Sequence, residues 1–151
     1  LFTDSQKRLV SFLKNDPLIR DRVERLQTID GVGEVTALTW VLEIGEPDRF
    51  SSIAKAISYC GLCAAQKESA GKEYRGPISK KRNRHLQTIL VEAAKLAPRW
   101  NDQLAEIHEK QLAKGNRNKA TLAVARKLVG YMLAVDKSGK EFKPRYSNMA
   151  A

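Results

Sequence analysis

Apolar residues recur along most of this chain at spacings of three and four, the pattern of helices that each bury one face. Leu9, Phe12 and Leu13 share a face of a helix predicted over 3–14, with Thr3 or Asp4 as its cap. Asn15-Asp16-Pro17 restarts the pattern, since proline suits a first helical position after an aspartate cap, and Leu18, Ile19, Val23 and Leu26 follow. Two helices, or one bent at Pro17, satisfy this stretch. A further apolar run follows Gly31 and Gly33 and stops at Gly45, and Ser51-Ser52 opens a short helix, Ile53 to Cys60, closed by Gly61. Leu86, Ile89, Leu90, Ala93, Ala94 and Ala97 form the stripe of a long helix that Pro98 stops. Trp100, Leu104, Ile107 and Leu112 mark another, from about 99 to 114. Gly115-Asn116-Arg117-Asn118 separates it from a last helix through Leu122, Ala125, Leu128, Val129, Met132 and Leu133. The predicted fold class is all-α, several helices around one core.

The pattern lapses twice. Between Leu62 and Gly76 periodicity vanishes and the chain turns polar and basic, with Ser69-Ala70-Gly71-Lys72 as a turn signal, so an exposed loop or a small β-hairpin is expected over 64–76. Gly76-Pro77 breaks whatever precedes it, and Ser79 is placed to cap the next helix. A serine hydroxyl at a helix N-terminus among cations also suits a phosphate, and spacing alone leaves both roles open. The second lapse begins at Asp136, where a polar tail containing Pro144 is expected to be loosely ordered.

Charge changes the picture. Twenty-seven Lys and Arg against 17 Asp and Glu leave the chain at a formal +10, which favours a polyanionic partner, most often nucleic acid. The cations cluster. Lys67, Lys72, Arg75, Lys80, Lys81, Arg82 and Arg84 face only Glu68 and Glu73 in sequence, and 110–127 contains no acid. Lys119, Arg126 and Lys127 in that second cluster suit either a nucleic-acid backbone or solvent. No apolar run reaches the length of a membrane span and no signal peptide opens the sequence, so a cytoplasmic protein is expected. The first residue, Leu1, suggests a piece of a longer protein. Cys60 and Cys63 have the spacing of half a zinc site but lack a second pair, and are read as packing residues; His85 and His108 make a poor metal set. No metal site is predicted.

Leu26 to Trp40 resembles a helix-hairpin-helix: apolar positions, then Gly31-Val32-Gly33, then a helix with a small residue one turn in. The glycines supply positive φ, and amides without side chains can approach a phosphate oxygen where the second helix starts. Such a hairpin grips the DNA backbone without reading sequence. Asp30 and Glu34 flank the turn and repel phosphate, so direct contact and a purely architectural hairpin both stay open.

The order of these features resembles a known domain. Ile29-x-Gly31-Val32-Gly33-x-Val35-Thr36-Ala37 is followed by Glu43-Ile44-Gly45, Arg49-Phe50-Ser51-Ser52, Tyr59-Cys60-Gly61-Leu62, a basic glycine-containing loop, and Ile78-Ser79-Lys80 with Asn83 and Leu86. Over about Leu26 to Leu133 this is similar to the C-terminal transposase domain of the Piv-invertase-like insertion-sequence transposases, the bridge-RNA-guided recombinases. The resemblance implies a two-part active site. A RuvC-like domain outside this sequence holds Mg²⁺ on acidic residues, and this domain supplies a serine that becomes transiently joined to DNA.

Ser79 matches the family's serine, with Ser69 as runner-up. Gly31, Gly33, Lys72, Arg75, Lys80, Lys81, Arg82, Arg84 and Lys119 are the expected DNA-binding set. Arg82 stands where the family commonly has a glycine. The implied organisation is a helical segment over 1–25 leading from the RuvC-like domain, a transposase domain over 26–135 and a tail over 136–151, with no cofactor of its own. DNA, a guide RNA and further copies of the full-length protein are the implied partners, and the chain alone is expected to be inactive. The competing reading is a non-catalytic helix-hairpin-helix module that binds DNA or RNA.

Overall fold

The computed structural model describes residues 2–62 and 83–143. Among them are seven α-helices and two short 3₁₀ turns, and no strand, so the fold is all-α. The expected hairpin over 64–76 lies outside the described residues.

Helices α1 (Phe2–Lys14) and α2 (Pro17–Leu26) are separate. The Asp16 side chain accepts a hydrogen bond from the Leu18 amide at 3.0 Å and Pro17 takes the first turn, so the restart is a true N-terminus. The buried edge of α1 differs from the expected one. Val10 and Leu13 pack on the core while Leu9 and Phe12 are 58% and 73% exposed. Successive residues rotate by about 100° around a helix, so a contact centred between Val10 and Leu13 carries Leu9 and Phe12 off its rim. In α2, Val23 and Leu26 are buried and Leu18 is exposed.

Helix α3 (Glu34–Ile44) is buried on most sides through Thr36, Ala37, Leu38, Trp40, Val41 and Ile44, and ends where Gly45 takes φ 69°. A 3₁₀ turn, Pro47–Arg49, leads to α4 (Ile53–Tyr59), whose first turn is capped by the Ser52 hydroxyl. Beyond residue 82, α5 (Arg84–Leu96) begins on Asn83, whose side-chain oxygen accepts from the Leu86 amide at 2.9 Å. The helix that carries the Leu86 stripe is therefore capped by Asn83, while Ser79 lies outside the described residues.

Pro98 does stop α5. A 3₁₀ turn, Ala97–Arg99, intervenes before α6 (Asp102–Leu112), so Trp100 lies outside the helix predicted over 99–114 and is 66% exposed. Asn101 opens α6 by accepting from the Gln103 and Leu104 amides. Helix α7 (Arg117–Ser138) starts on an Asn116 cap and packs against α2, α4, α5 and α6, its buried row running through Val124, Leu128, Met132 and Val135.

The ordered chain continues past the expected start of the tail at Asp136. Its carboxylate is buried, accepts from Arg22 Nε and Nη2 at 2.9 and 2.7 Å, and accepts from the Trp40 indole at 3.0 Å, which joins α2, α3 and α7. Pairing both oxygens is what makes a carboxylate tolerable there. The Phe142 amide then donates to the Thr28 hydroxyl at 2.8 Å, strapping the end of the described chain over the α2–α3 turn.

Candidate functional site

Leu62 and Asn83, the residues flanking 63–82, lie close together beside the end of α4, Leu62 buried and Asn83 half-buried. The Asn83 amide donates to the Tyr59 carbonyl at 2.7 Å. On the α4 side, the Gly61 carbonyl accepts from Gln87 Nε2 at 2.9 Å and the Leu62 carbonyl accepts from Arg126 Nη1 at 3.1 Å, tying the chain just after α4 to α5 and α7. On the α5 side, Asn83 Nδ2 donates to Glu43 Oε2 at 2.9 Å and to the Tyr59 hydroxyl at 3.3 Å, while the same side chain caps α5. The Tyr59 hydroxyl itself donates to the Glu43 carbonyl at 3.4 Å. One asparagine thus satisfies a helix terminus and a carboxylate together.

Arg49 adjoins this junction. Its guanidinium lies 4.6 Å from the centre of the Phe50 ring and 4.7 Å from that of Tyr59, and Nε donates to the Ile44 carbonyl at 2.9 Å. The two rings contact each other at 5.5 Å. Arg84, the first residue of α5, is exposed beside Asn83, and no acid occupies that first turn. Below, Cys60 is fully buried; burial pushes its thiol up to about 12, so it is held as a neutral packing group.

Of the residues predicted to act, Ser69, Lys72, Arg75, Ser79, Lys80, Lys81 and Arg82 lie outside the described residues. Gly31, Gly33, Arg84 and Lys119 are described and fall in different places. Gly31 has φ 103° and faces the α5–α6 corner, where an added Cβ would stand 2.7 Å from Ala97 Cβ. Its missing side chain is used for packing. Gly33 is exposed, with nothing among the described residues within 4 Å of the place a Cβ would take. The hairpin is fixed by Asn101 Nδ2, which donates to the Asp30 carbonyl at 3.2 Å, and it borders an open groove of about 510 Å³ lined in part by Thr36, Ile89, Leu96 and Trp100. Lys119 is exposed on the first turn of α7. Arg126 is tied to Leu62, and Lys127 lies over the Tyr131 ring.

Sequence reasoning missed Glu43, Arg49, Tyr59 and Arg126 as a connected set. A signal existed for Glu43: a carboxylate near the C-terminus of an otherwise apolar helix opposes the helix dipole, so its presence asks for a specific partner. Among the described residues no group of three His, Cys, Asp or Glu side chains is placed to hold a metal ion. No helix there is long and apolar enough to cross a membrane.

Comparison with known proteins bears on the same stretch. A family model described as Transposase IS116/IS110/IS902 family matches residues 23–109. The transposase for insertion sequence element IS1328 of Yersinia enterocolitica is 28% identical over 134 residues, 86% of this chain and 40% of the relative. The transposase for insertion sequence element IS1111A of Coxiella burnetii is 35% identical over 72 residues, 48% of this chain and 20% of the relative. The chain therefore spans well under half the length of these curated relatives. No solved structure matches it.

Proposed function

This chain belongs to the transposase IS116/IS110/IS902 family, and we propose that it is the strand-handling part of a longer transposase, with Ser79 as the hydroxyl that attacks DNA. One observation carries the reading. Glu43, Arg49, Phe50, Tyr59, Gly61, Leu62 and Asn83, scattered through the sequence, meet where the chain leaves for and returns from the segment that holds Ser69 and Ser79. A body that spends its polar side chains on fixing both ends of one basic segment is suited to presenting a reactive group there.

A serine hydroxyl is a weak nucleophile at neutral pH and needs activation, while Lys80, Lys81, Arg82 and Arg84 neutralise the charge that builds on the phosphate. Attack forms a bond from serine oxygen to phosphorus and breaks the bond from phosphorus to one sugar oxygen, which departs with the electron pair; the serine gives up its proton and the released sugar hydroxyl takes one up, so the exchange needs no net proton. The energy of the phosphodiester is kept for rejoining. In this reading Mg²⁺ belongs to a RuvC-like domain elsewhere in the full-length protein, the subgroup is the Piv-like, bridge-RNA-guided one, and assembly of several copies takes place in the cytoplasm around DNA and a guide RNA.

The test is covalent trapping with the full-length protein and its element DNA. Ser79→Ala is expected to abolish both strand exchange and the protein–DNA adduct, whereas Ser69→Ala leaves them. An adduct mapped to Ser69, or exchange that survives both substitutions, overturns the assignment in favour of a non-catalytic nucleic-acid-binding module.

A further inference from the structure

We propose that Arg49 is a pre-mounted phosphate-binding residue, which holds a phosphodiester of the nucleic acid lying across the junction between α4 and α5. The proposal rests on the nucleic-acid reading above and adds a contact that the cationic clusters in the sequence do not point to.

Free arginine side chains lose considerable rotamer entropy when they bind, which erodes what a surface contact contributes. Arg49 has lost that freedom already. Two ring faces, at 4.6 and 4.7 Å, and the hydrogen bond from Nε to the Ile44 carbonyl fix the guanidinium on three sides. Among the described residues Nη1 and Nη2 have no hydrogen-bond or ion-pair partner, and the residue is exposed. Among the described residues nothing occupies the two-nitrogen edge that suits two oxygens of one phosphate.

The neighbours point the same way. Tyr59, under the guanidinium, touches Asn83 through its hydroxyl, so Arg49 and Arg84 border one cluster. A cation at the start of a helix opposes the dipole and costs stability unless an anion approaches both, which is the condition a bound phosphate meets. The nearby acids do not quench Arg49. Glu43 gives a carboxylate oxygen to Asn83, and Glu46 and Asp48 are exposed without forming an ion pair to it. A tyrosine and a phenylalanine face would be an extravagant use of aromatic surface for a guanidinium that only met water.

Binding of the full 151-residue chain to a labelled DNA duplex and to a labelled RNA hairpin, followed by anisotropy across a salt series, tests this. Arg49→Gln is expected to weaken binding about fivefold at physiological salt and to lower the slope of log K against log salt by about 0.9, the release expected for one phosphate contact. Arg49→Lys keeps the charge and should keep the slope while losing about twofold in affinity, because an ammonium has no planar edge to rest on the rings and offer two oxygens at once. Lys7→Gln, on exposed α1, removes the same charge elsewhere and should change neither by much. Loss on the duplex alone identifies DNA as the source of the phosphate, and loss on the hairpin alone identifies RNA.

The assignment is overturned if Arg49→Gln binds both probes like the parent, if Lys7→Gln matches its loss, or if Arg49→Lys is indistinguishable from the parent. A parent chain that binds neither probe sinks the nucleic-acid reading itself, and the Arg49 assignment with it. Thermal melts of all three variants confirm that each is folded under the conditions of the binding series.

Discussion

The junction at Asn83 and the hairpin at Gly31 are built alike and used differently. Each is docked by an asparagine that caps a helix with its oxygen and reaches a distant partner with its nitrogen: Asn83 caps α5 and holds Glu43, Asn101 caps α6 and holds the Asp30 carbonyl. The hairpin turns its φ 103° glycine inward against Ala97 and leaves Asp30 and Glu34 around its outer edge. The junction leaves Arg49 and Arg84 on its outside and puts Cys60 and Leu62 beneath. The same device packs a turn against a helix corner in one place and leaves two arginines exposed in the other. Glycine at a turn is therefore a poor guide to phosphate contact unless the direction its missing side chain would take is known.

The largest effect that would break this contrast concerns the floor of the junction. With its thiol pushed up to about 12, Cys60 at pH 9 should carry roughly 500-fold less thiolate than an ordinary cysteine and alkylate correspondingly slowly until the chain unfolds, read by mass mapping of the Cys60 peptide. The sign follows from linkage. The folded state keeps this proton to higher pH than the unfolded chain, so the group's contribution to stability is whole below about pH 9 and falls away between pH 9 and 12. Rapid labelling in native buffer would mean that the junction is open from below.

Next in size is Gly31→Ala, which meets Ala97 Cβ at 2.7 Å and Ala97 Cα at 3.0 Å at a φ that alanine avoids, and should cost about 3 kcal/mol in a denaturant melt. Asn83→Ala should cost about 1–2 kcal/mol by removing the cap and leaving Glu43 without its amide partner. Asn83→Asp keeps the capping oxygen but sets a carboxylate against Glu43, so it should recover little of that loss. Gly33→Ala closes the series. Its φ is negative and no described residue lies within 4 Å of an added Cβ, so stability should shift by less than about 0.5 kcal/mol. Equal costs at Gly31 and Gly33 would erase the distinction drawn for the hairpin.

Local signals in the sequence were reliable where the chemistry is local. Asp16-Pro17, Ser52, Gly45 and Asn116 each mark an element end because the bond or dihedral involved lies within a few residues. The start of α5 at Asn83 was not singled out because an apolar stripe beginning at Leu86 does not say which of the polar residues before it adjoins the first turn. Asp136 was read as tail because its partners, Arg22 and Trp40, are separated from it by 114 and 96 residues, beyond the reach of any periodicity. The exposed faces of Leu9, Phe12 and Trp100 show the limit of an apolar stripe as evidence: it fixes the helix but not the angle at which its neighbours meet it. Arg49 left no trace in charge counting, since its distinction lies in what clasps it.

One consequence of the 2.7 Å bond between the Asn83 amide and the Tyr59 carbonyl reaches beyond chemistry. Because the chain on either side of 63–82 is pinned foot to foot, the last turn before Leu62 and the first turn of α5 cannot part without breaking that bond, so the two helices that carry this stretch move as one body.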